Sequence, residues 1–169
     1  MRTVVARQQL PGASVDEAQR LWFDLARRPS FVDGFGALAR SEGDWPHAGA
    51  RIVWDSLPGG RGRVVEHVLE YEPGVAQIVR VEDPALTGTQ RVRLQAVDGG
   101  CAIVLELAYE LKRHAGGATA LRDVLFVRRA LGESLRRTLR RFAIELRAER
   151  ELLAEIGRPR PLPRNHKES

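Results

Sequence analysis

Apolar residues recur along this chain with two different periods in succession. Between residues 36 and 112 they alternate with polar ones in short runs, broken at Asp44-Trp45-Pro46, Pro58-Gly59-Gly60, Pro73-Gly74 and Gly99-Gly100. That is the pattern of half-buried strands separated by turns. From residue 119 to 156 the period becomes helical. At roughly 100° per residue, Leu121, Val124, Leu131, Leu135, Leu139, Phe142, Leu146 and Leu153 all fall within about 40° of Leu135. One face of this helix must lie on apolar surface, and the only large one left is the sheet implied by residues 36–112. The pattern predicts an α+β domain in which one long helix closes over one antiparallel sheet.

Finer signals place the remaining elements. A first strand is expected at residues 3–10, followed by a capping box at Ser14-Val15-Asp16-Glu17, in which Ser14 accepts from the Glu17 backbone and Glu17 reaches back. It opens an amphipathic helix through Leu21, Trp22 and Leu25 that Pro29 should end, and a short apolar turn, Phe31-Val32-Asp33-Gly34-Phe35, leads to the sheet. Six further strands are read at 36–42, 50–57, 62–72, 75–83, 87–97 and 101–112. A two-residue turn at Gly99-Gly100 would set Leu94 opposite Leu105, Val92 opposite Leu107, Gln90 opposite Tyr109 and Arg93 opposite Glu106. Ile103, Leu105, Leu107, Tyr109 and Leu111 then face the helix. With no internal repeat or boundary, residues 1–156 read as one domain, and Arg158-Pro159-Arg160-Pro161 opens a basic, proline-rich tail (157–169) expected to be flexible.

Composition narrows the class. A chain of 169 residues, 43% hydrophobic and 29% charged, is a globular balance. No stretch reaches the length of a membrane span, and the start meets Arg7, Gln8 and Gln9 too soon for a signal peptide, which implies a cytoplasmic protein. The net charge of +5 suggests nucleic acid until its distribution is read. Arg158, Arg160, Arg164 and Lys167 stand against Glu168 alone in the tail, so the body is nearly balanced and no nucleic acid is expected as a partner. Arg136-Arg137 and Arg140-Arg141 fall beside Glu133, Glu145 and Glu149, as on a solvated helix face. Phe126 and Ile144 also point away from the sheet, so a homodimer through the outer face of the helix is a candidate association. The lone Cys101 reads as a strand residue.

The order of elements (strand, two short helices, meander, long terminal helix) resembles the START-like or Bet v 1-like helix-grip superfamily. The resemblance is to its polyketide cyclase/dehydrase and coenzyme Q-binding members in particular. It rests on Ser14-Val15-Asp16-Glu17-Ala18-Gln19-Arg20-Leu21-Trp22, Pro29-Ser30-Phe31-Val32-Asp33-Gly34-Phe35, Val65-Glu66-His67-Val68-Leu69-Glu70-Tyr71-Glu72-Pro73 and the closing helix. It covers residues 1–150. It implies a curved sheet around the helix with a cavity between them for a lipid, polyketide or quinone-like molecule. It also implies that Val64, Glu66, Val68 and Glu70 face that cavity, with His67 outside.

Catalytic signatures are lacking: there is no Gly-x-Ser-x-Gly, His-Glu-x-x-His, phosphate-cradling glycine loop or Cys-x-x-Cys. The histidines His47, His67, His114 and His166 are scattered, so neither a metal nor a cofactor is expected. Polar groups on inward faces are the remaining candidates. Arg128 lies about 20° from Leu135 on the helical wheel, inside the apolar stripe, where a guanidinium needs a carboxylate partner such as Glu66 or Glu70, or else snorkels past the sheet edge. Glu66 could pair with an arginine or exchange protons, and Tyr109 could orient a ligand through its hydroxyl. Gly132 would leave room for a ligand or a close strand. Trp22, Phe31, Phe35, Trp54, Val68, Val79, Leu105 and Leu135 complete the expected ligand-binding set. The expected function is binding of a small hydrophobic ligand. The alternative is a polyketide aromatase/cyclase using Glu66, Arg128 or Tyr109, and a weaker one is a ribosome- or quinone-associated factor.

Overall fold

The computed structural model describes residues 1–112 and 121–157, with side chains in the final helix from Leu125 onward. Residues 113–120 and the tail from 158 lie outside the described residues. The elements run β1 (Arg2–Pro11), α1 (Val15–Phe23), α2 (Arg28–Phe31), β2 (Phe35–Glu42), β3 (Arg51–Ser56), β4 (Arg63–Glu72), β5 (Ala76–Glu82), β6 (Leu86–Val97), β7 (Gly100–Leu111) and α3 (Leu121–Ile156). All strands join one antiparallel sheet in the order β1-β7-β6-β5-β4-β3-β2. The sheet curves and α3 lies along its inner face, the helix-grip arrangement.

The capping box at Ser14 and Glu17 forms as expected. Pro29 does not end α1, which stops at Phe23 with Asp24 as its C-cap; it sits instead in the first turn of α2. A proline there loses no helical hydrogen bond, since the first-turn N–H groups have no acceptor within the helix. The β6–β7 turn is also displaced. Val97 pairs with Gly100, so Asp98-Gly99 form the two-residue turn, Gly99 takes φ +76°, and Leu94 faces Ile103 rather than Leu105. Asp-Gly suits a turn that needs positive φ, whereas Gly100 belongs to β7, where a Cβ would collide with the Leu10 carbonyl. A shift of two residues keeps every side chain on its face, so Ile103, Leu105, Leu107 and Tyr109 are buried toward the interior as expected.

Two apolar clusters share the interior. Beneath α3, Trp22, Phe31 and Phe142 meet with ring centroids 5.2–5.5 Å apart, surrounded by Leu105, Leu107, Leu139 and Leu146. Toward β2–β5, Phe35 stacks on Trp54 at 4.7 Å over Ile52, Val64, Val68, Val79 and Val81. Leu153, assigned to the buried stripe, is exposed together with Leu152 and Ile156. A helix of 36 residues extends about 54 Å and outruns the sheet it covers. Phe126 and Ile144 are exposed, 74% and 65%. No helix among the described residues is long and apolar enough to cross a membrane.

Phe142→Ala should cost about 3–5 kcal/mol in urea unfolding, because the rings of Trp22 and Phe31 both pack on that position. Leu153→Ala, on the overhang, should change stability by no more than about 0.5 kcal/mol.

Candidate functional site

At the junction of the two clusters the interior holds charge. β4 turns Val64, Glu66 and Val68 inward, and Glu66 sits opposite Ile52 of β3, two residues from Trp54. The Trp54 indole Nε1–H donates to Glu66 Oε1 at 2.8 Å. Arg28, only 4% exposed, reaches in from α2 and grips the same carboxylate with both terminal nitrogens, Nη1 to Oε2 at 3.0 Å and Nη2 to Oε1 at 3.1 Å. Its guanidinium also lies 5.8 Å from the Phe35 ring centroid and 5.6 Å from that of Trp45. Planar fork geometry and aromatic faces are what make an arginine tolerable at this depth. Glu66 thus accepts three hydrogen bonds. Arg28 Nε is buried without an acceptor among the described residues.

Arg28, Glu66, Trp54 and Trp22 line a narrow cavity of about 30 Å³ between sheet and helix, room for a water molecule or two. Arg61 and Gln90 line its far side, with Leu105 and Leu135 among its apolar walls. Arg61 Nε donates to Asp83 at 2.7 Å, and the buried carboxylate also takes the backbone N–H groups of Ala85 and Leu86. Arg61 Nη2 is buried and has no partner among the described residues. Over the cavity, the segment between α2 and β2 is fastened to α3 through Asp33. Its carboxylate accepts from Arg137 Nε (3.0 Å) and Nη2 (2.9 Å) and from Ser134 Oγ (2.8 Å), with Arg141 at 3.4 Å. Its N–H donates to Thr138 Oγ1 at 2.9 Å. Burial pushes the Asp33 carboxyl up, but the hydrogen bonds from Arg137 and Ser134 and the charges of Arg137 and Arg141 more than offset this and hold it below the usual carboxylate range.

Of the residues chosen from sequence, Glu66, Trp22, Trp54, Leu105 and Leu135 meet at this cavity. Phe31, Phe35, Val68, Val79 and Tyr109 are buried in the flanking clusters, and the Tyr109 hydroxyl has no partner among the described residues. Glu70 is exposed, because a bulge between Val68 and Glu70 reverses the alternation. The inward placement of Arg128 is wrong: it is exposed and, with Gly132, borders an outer groove against β1. α3 leans toward β1, so that side of the stripe meets the sheet's edge instead of its interior. Arg28, Asp33 and Arg61 were missed. Arg28 stands three residues before Phe31, on the same helical face, and Asp33 is the one charge in an apolar turn, so both left a faint signal. Arg61 left none.

The sequence model of a family described as polyketide cyclase/dehydrase and lipid transport matches residues 1–147. The chain belongs to this family. No curated protein sequence is similar enough to be matched to it. Among solved structures, a protein of Thermus thermophilus is similar at TM-score 0.71 and 20% identity, over 88% of this chain and 99% of that one. A protein of Rhodobacter sphaeroides is similar at TM-score 0.62 and 16% identity, over 87% and 93%. A di-domain ARO/CYC of the steffimycin biosynthetic pathway is similar at TM-score 0.66 and 19% identity, over 88% of this chain and 52% of that one. At such identities these likenesses show the fold of the family member and nothing of its chemistry.

Arg28→Met keeps the stem, strands Glu66 and should cost about 3–5 kcal/mol in urea unfolding. Arg128→Met should stay within about 0.5 kcal/mol of the parent, and a comparable loss there would refute the assignment of the pair. Asp33 gives a pH signature. Its carboxyl is lowered in the folded state, so its contribution is present above the unfolded value near 4 and is lost as pH falls through the lower folded value. Melting temperatures of the parent and Asp33→Asn should therefore differ at neutral pH and converge in acid.

Proposed function

We propose that this chain binds a small, largely apolar molecule bearing at least one acceptor oxygen, a carbonyl, enol or carboxylate, between sheet and α3. The observation that carries this reading is that two guanidinium N–H groups, Arg28 Nε and Arg61 Nη2, have no acceptor among the described residues, on residues that line one narrow cavity. Buried donors are normally satisfied, and a ligand oxygen is an acceptor that would satisfy such a donor. Trp22 and Trp54 offer flat walls to the ligand's apolar part. The family description, with its cyclase/dehydrase and lipid-transport members, supports the same ligand range. Since the cavity holds little more than water, admission of such a molecule needs it to widen, and the Asp33 contacts to α3 border it.

A second reading is cyclisation of a polyketide, which the family description as polyketide cyclase/dehydrase favours. A carbon beside a ketone would give its proton to Glu66 while the electron pair moves onto the ketone oxygen, held as enolate by the guanidiniums. Glu66 already accepts three hydrogen bonds, so the base would have to give up part of its hold on Arg28 or Trp54. Binding alone needs no such change and is the preferred reading.

Thermal shift with fatty acids, quinones and hydroxylated aromatic ketones, alongside native mass spectrometry of the purified chain, tests it. An oxygenated aromatic at a hundred times its Kd should stabilise the fold by about 2.7 kcal/mol. Arg61→Met should remove most of that shift while the unliganded protein still folds. Shifts produced equally by the parent and Arg61→Met, or by hydrocarbon chains alone, would overturn the reading.

A further inference from the structure

On the α2 flank of α3 the described arginines are paired, whereas the flank facing β1 carries guanidiniums in excess of its carboxylates. Glu145 and Glu149 turn toward α2, where Arg27 takes both at 2.9 and 3.4 Å, and Arg137 and Arg141 are occupied by Asp33. On the flank facing β1, Arg136 has Glu133 and Arg150 has Glu17. Arg128, Arg129, Arg140 and Arg147 are exposed, and among the described residues no carboxylate stands within ion-pairing distance of them. The row from Arg129 to Arg147 extends about 27 Å.

That row runs beside an unprotected strand. β1 ends the sheet, so its outer edge bears no further strand among the described residues. The Gly12 N–H donates to Gly99 O at 2.7 Å, which sets the hydrogen-bonding phase of the β1–β7 ladder. By alternation, the N–H and C=O groups of Thr3, Val5, Arg7 and Gln9 point away from β7. An open groove of about 480 Å³ separates residues 3–5 from Leu125, Arg128, Arg129 and Arg136, and a second of about 200 Å³ separates residues 8–11 from Leu146, Arg147 and Arg150. Helix and strand therefore pass in the same direction along one seam, with the buried side chains of Val4, Leu10 and Leu146 beneath.

We propose that this seam docks an extended acidic segment of a partner protein, which adds to β1 as a further strand and sets its carboxylates against the arginine row. A strand satisfies the free backbone edge, and its alternate side chains recur at about 6.6 Å, so several carboxylates fit within the span of the row. Other occupants match only half of the seam. The chain's own terminal segment, with Arg158, Arg160, Arg164 and Lys167, repeats the groove's charge. A second copy would bring Arg2 and Arg7 of its β1 against the same arginines. Nucleic acid offers phosphates but no strand, and the seam has no aromatic side chain among its lining residues for bases to stack on. The site is separate from the cavity between sheet and α3.

The test uses the full chain, ¹⁵N-labelled, with a synthetic peptide of alternating glutamate and valine about as long as β1. A second peptide carries proline in place of each valine, and a single-stranded oligonucleotide serves as a third probe. The glutamate–valine peptide should bind, weaken as salt rises and slow hydrogen exchange at the Thr3, Val5, Arg7 and Gln9 amides. Arg129→Glu/Arg140→Glu, both on the surface, should keep the parent's melting temperature and lose about tenfold or more in affinity. Equal binding of the proline peptide, tighter binding of the oligonucleotide, absence of protection at those amides, or a peptide-free dimer that protects them would each overturn the proposal.

Discussion

The fold depends on one ion pair at the point where its two apolar clusters meet. Arg28 and Glu66 are nearly sealed from water, and neither is acceptable there alone. Their bidentate contact, the Trp54 indole and the faces of Phe35 and Trp45 together make the charges tolerable. The same contact ties α2 to the middle of the sheet, so the short helix is positioned by charge as much as by burial of Phe31. An interior built around a salt bridge keeps a polar cavity beside it, because the donors left over cannot be packed against hydrocarbon without loss.

The other arginines extend this logic outward. Asp33 gathers Arg137, Arg141 and Ser134 and so fastens the cavity's cover to α3, while Arg27 reaches Glu145 and Glu149 one turn and two turns farther along. Each of these contacts pulls the inner flank of α3 toward α2. Glu145 and Glu149 are thereby turned to the α2 side, and the positive charge along β1 is left to Glu133 and Glu17 to balance. The interior site and the exposed seam are two consequences of one distribution of charge.

How much of this was legible before the structure depends on the range of the forces involved. Strand alternation, the Ser14 capping box and the apolar stripe of α3 are local in sequence, so one strip of chain reports them. The β6–β7 register was misread by two residues because Asp98-Gly99 and Gly99-Gly100 both make acceptable turns and a shift of two leaves every face unchanged. Glu66 was readable as inward only through its family pattern, and Glu70 defeated that pattern with a bulge that no local residue announces. Arg128 was misplaced because a helical wheel gives a direction around an axis and not the lean of that axis across a sheet.

By itself, then, the sequence determined the element types, their order and the two apolar faces, since these follow from periodicities repeated many times along the chain, while the family was legible through motifs and their order. Tertiary structure alone decided which arginine meets Glu66, what holds Asp33 and where charge is left unpaired. Arg28 and Glu66 lie 38 residues apart, and Asp33 and Arg137 lie 104 apart. A chain with 27 basic and 22 acidic side chains admits a great many pairings that composition cannot rank. Only closure of the sheet around α3 removes water from a few of them, and desolvation is what turns a possible contact into a required one.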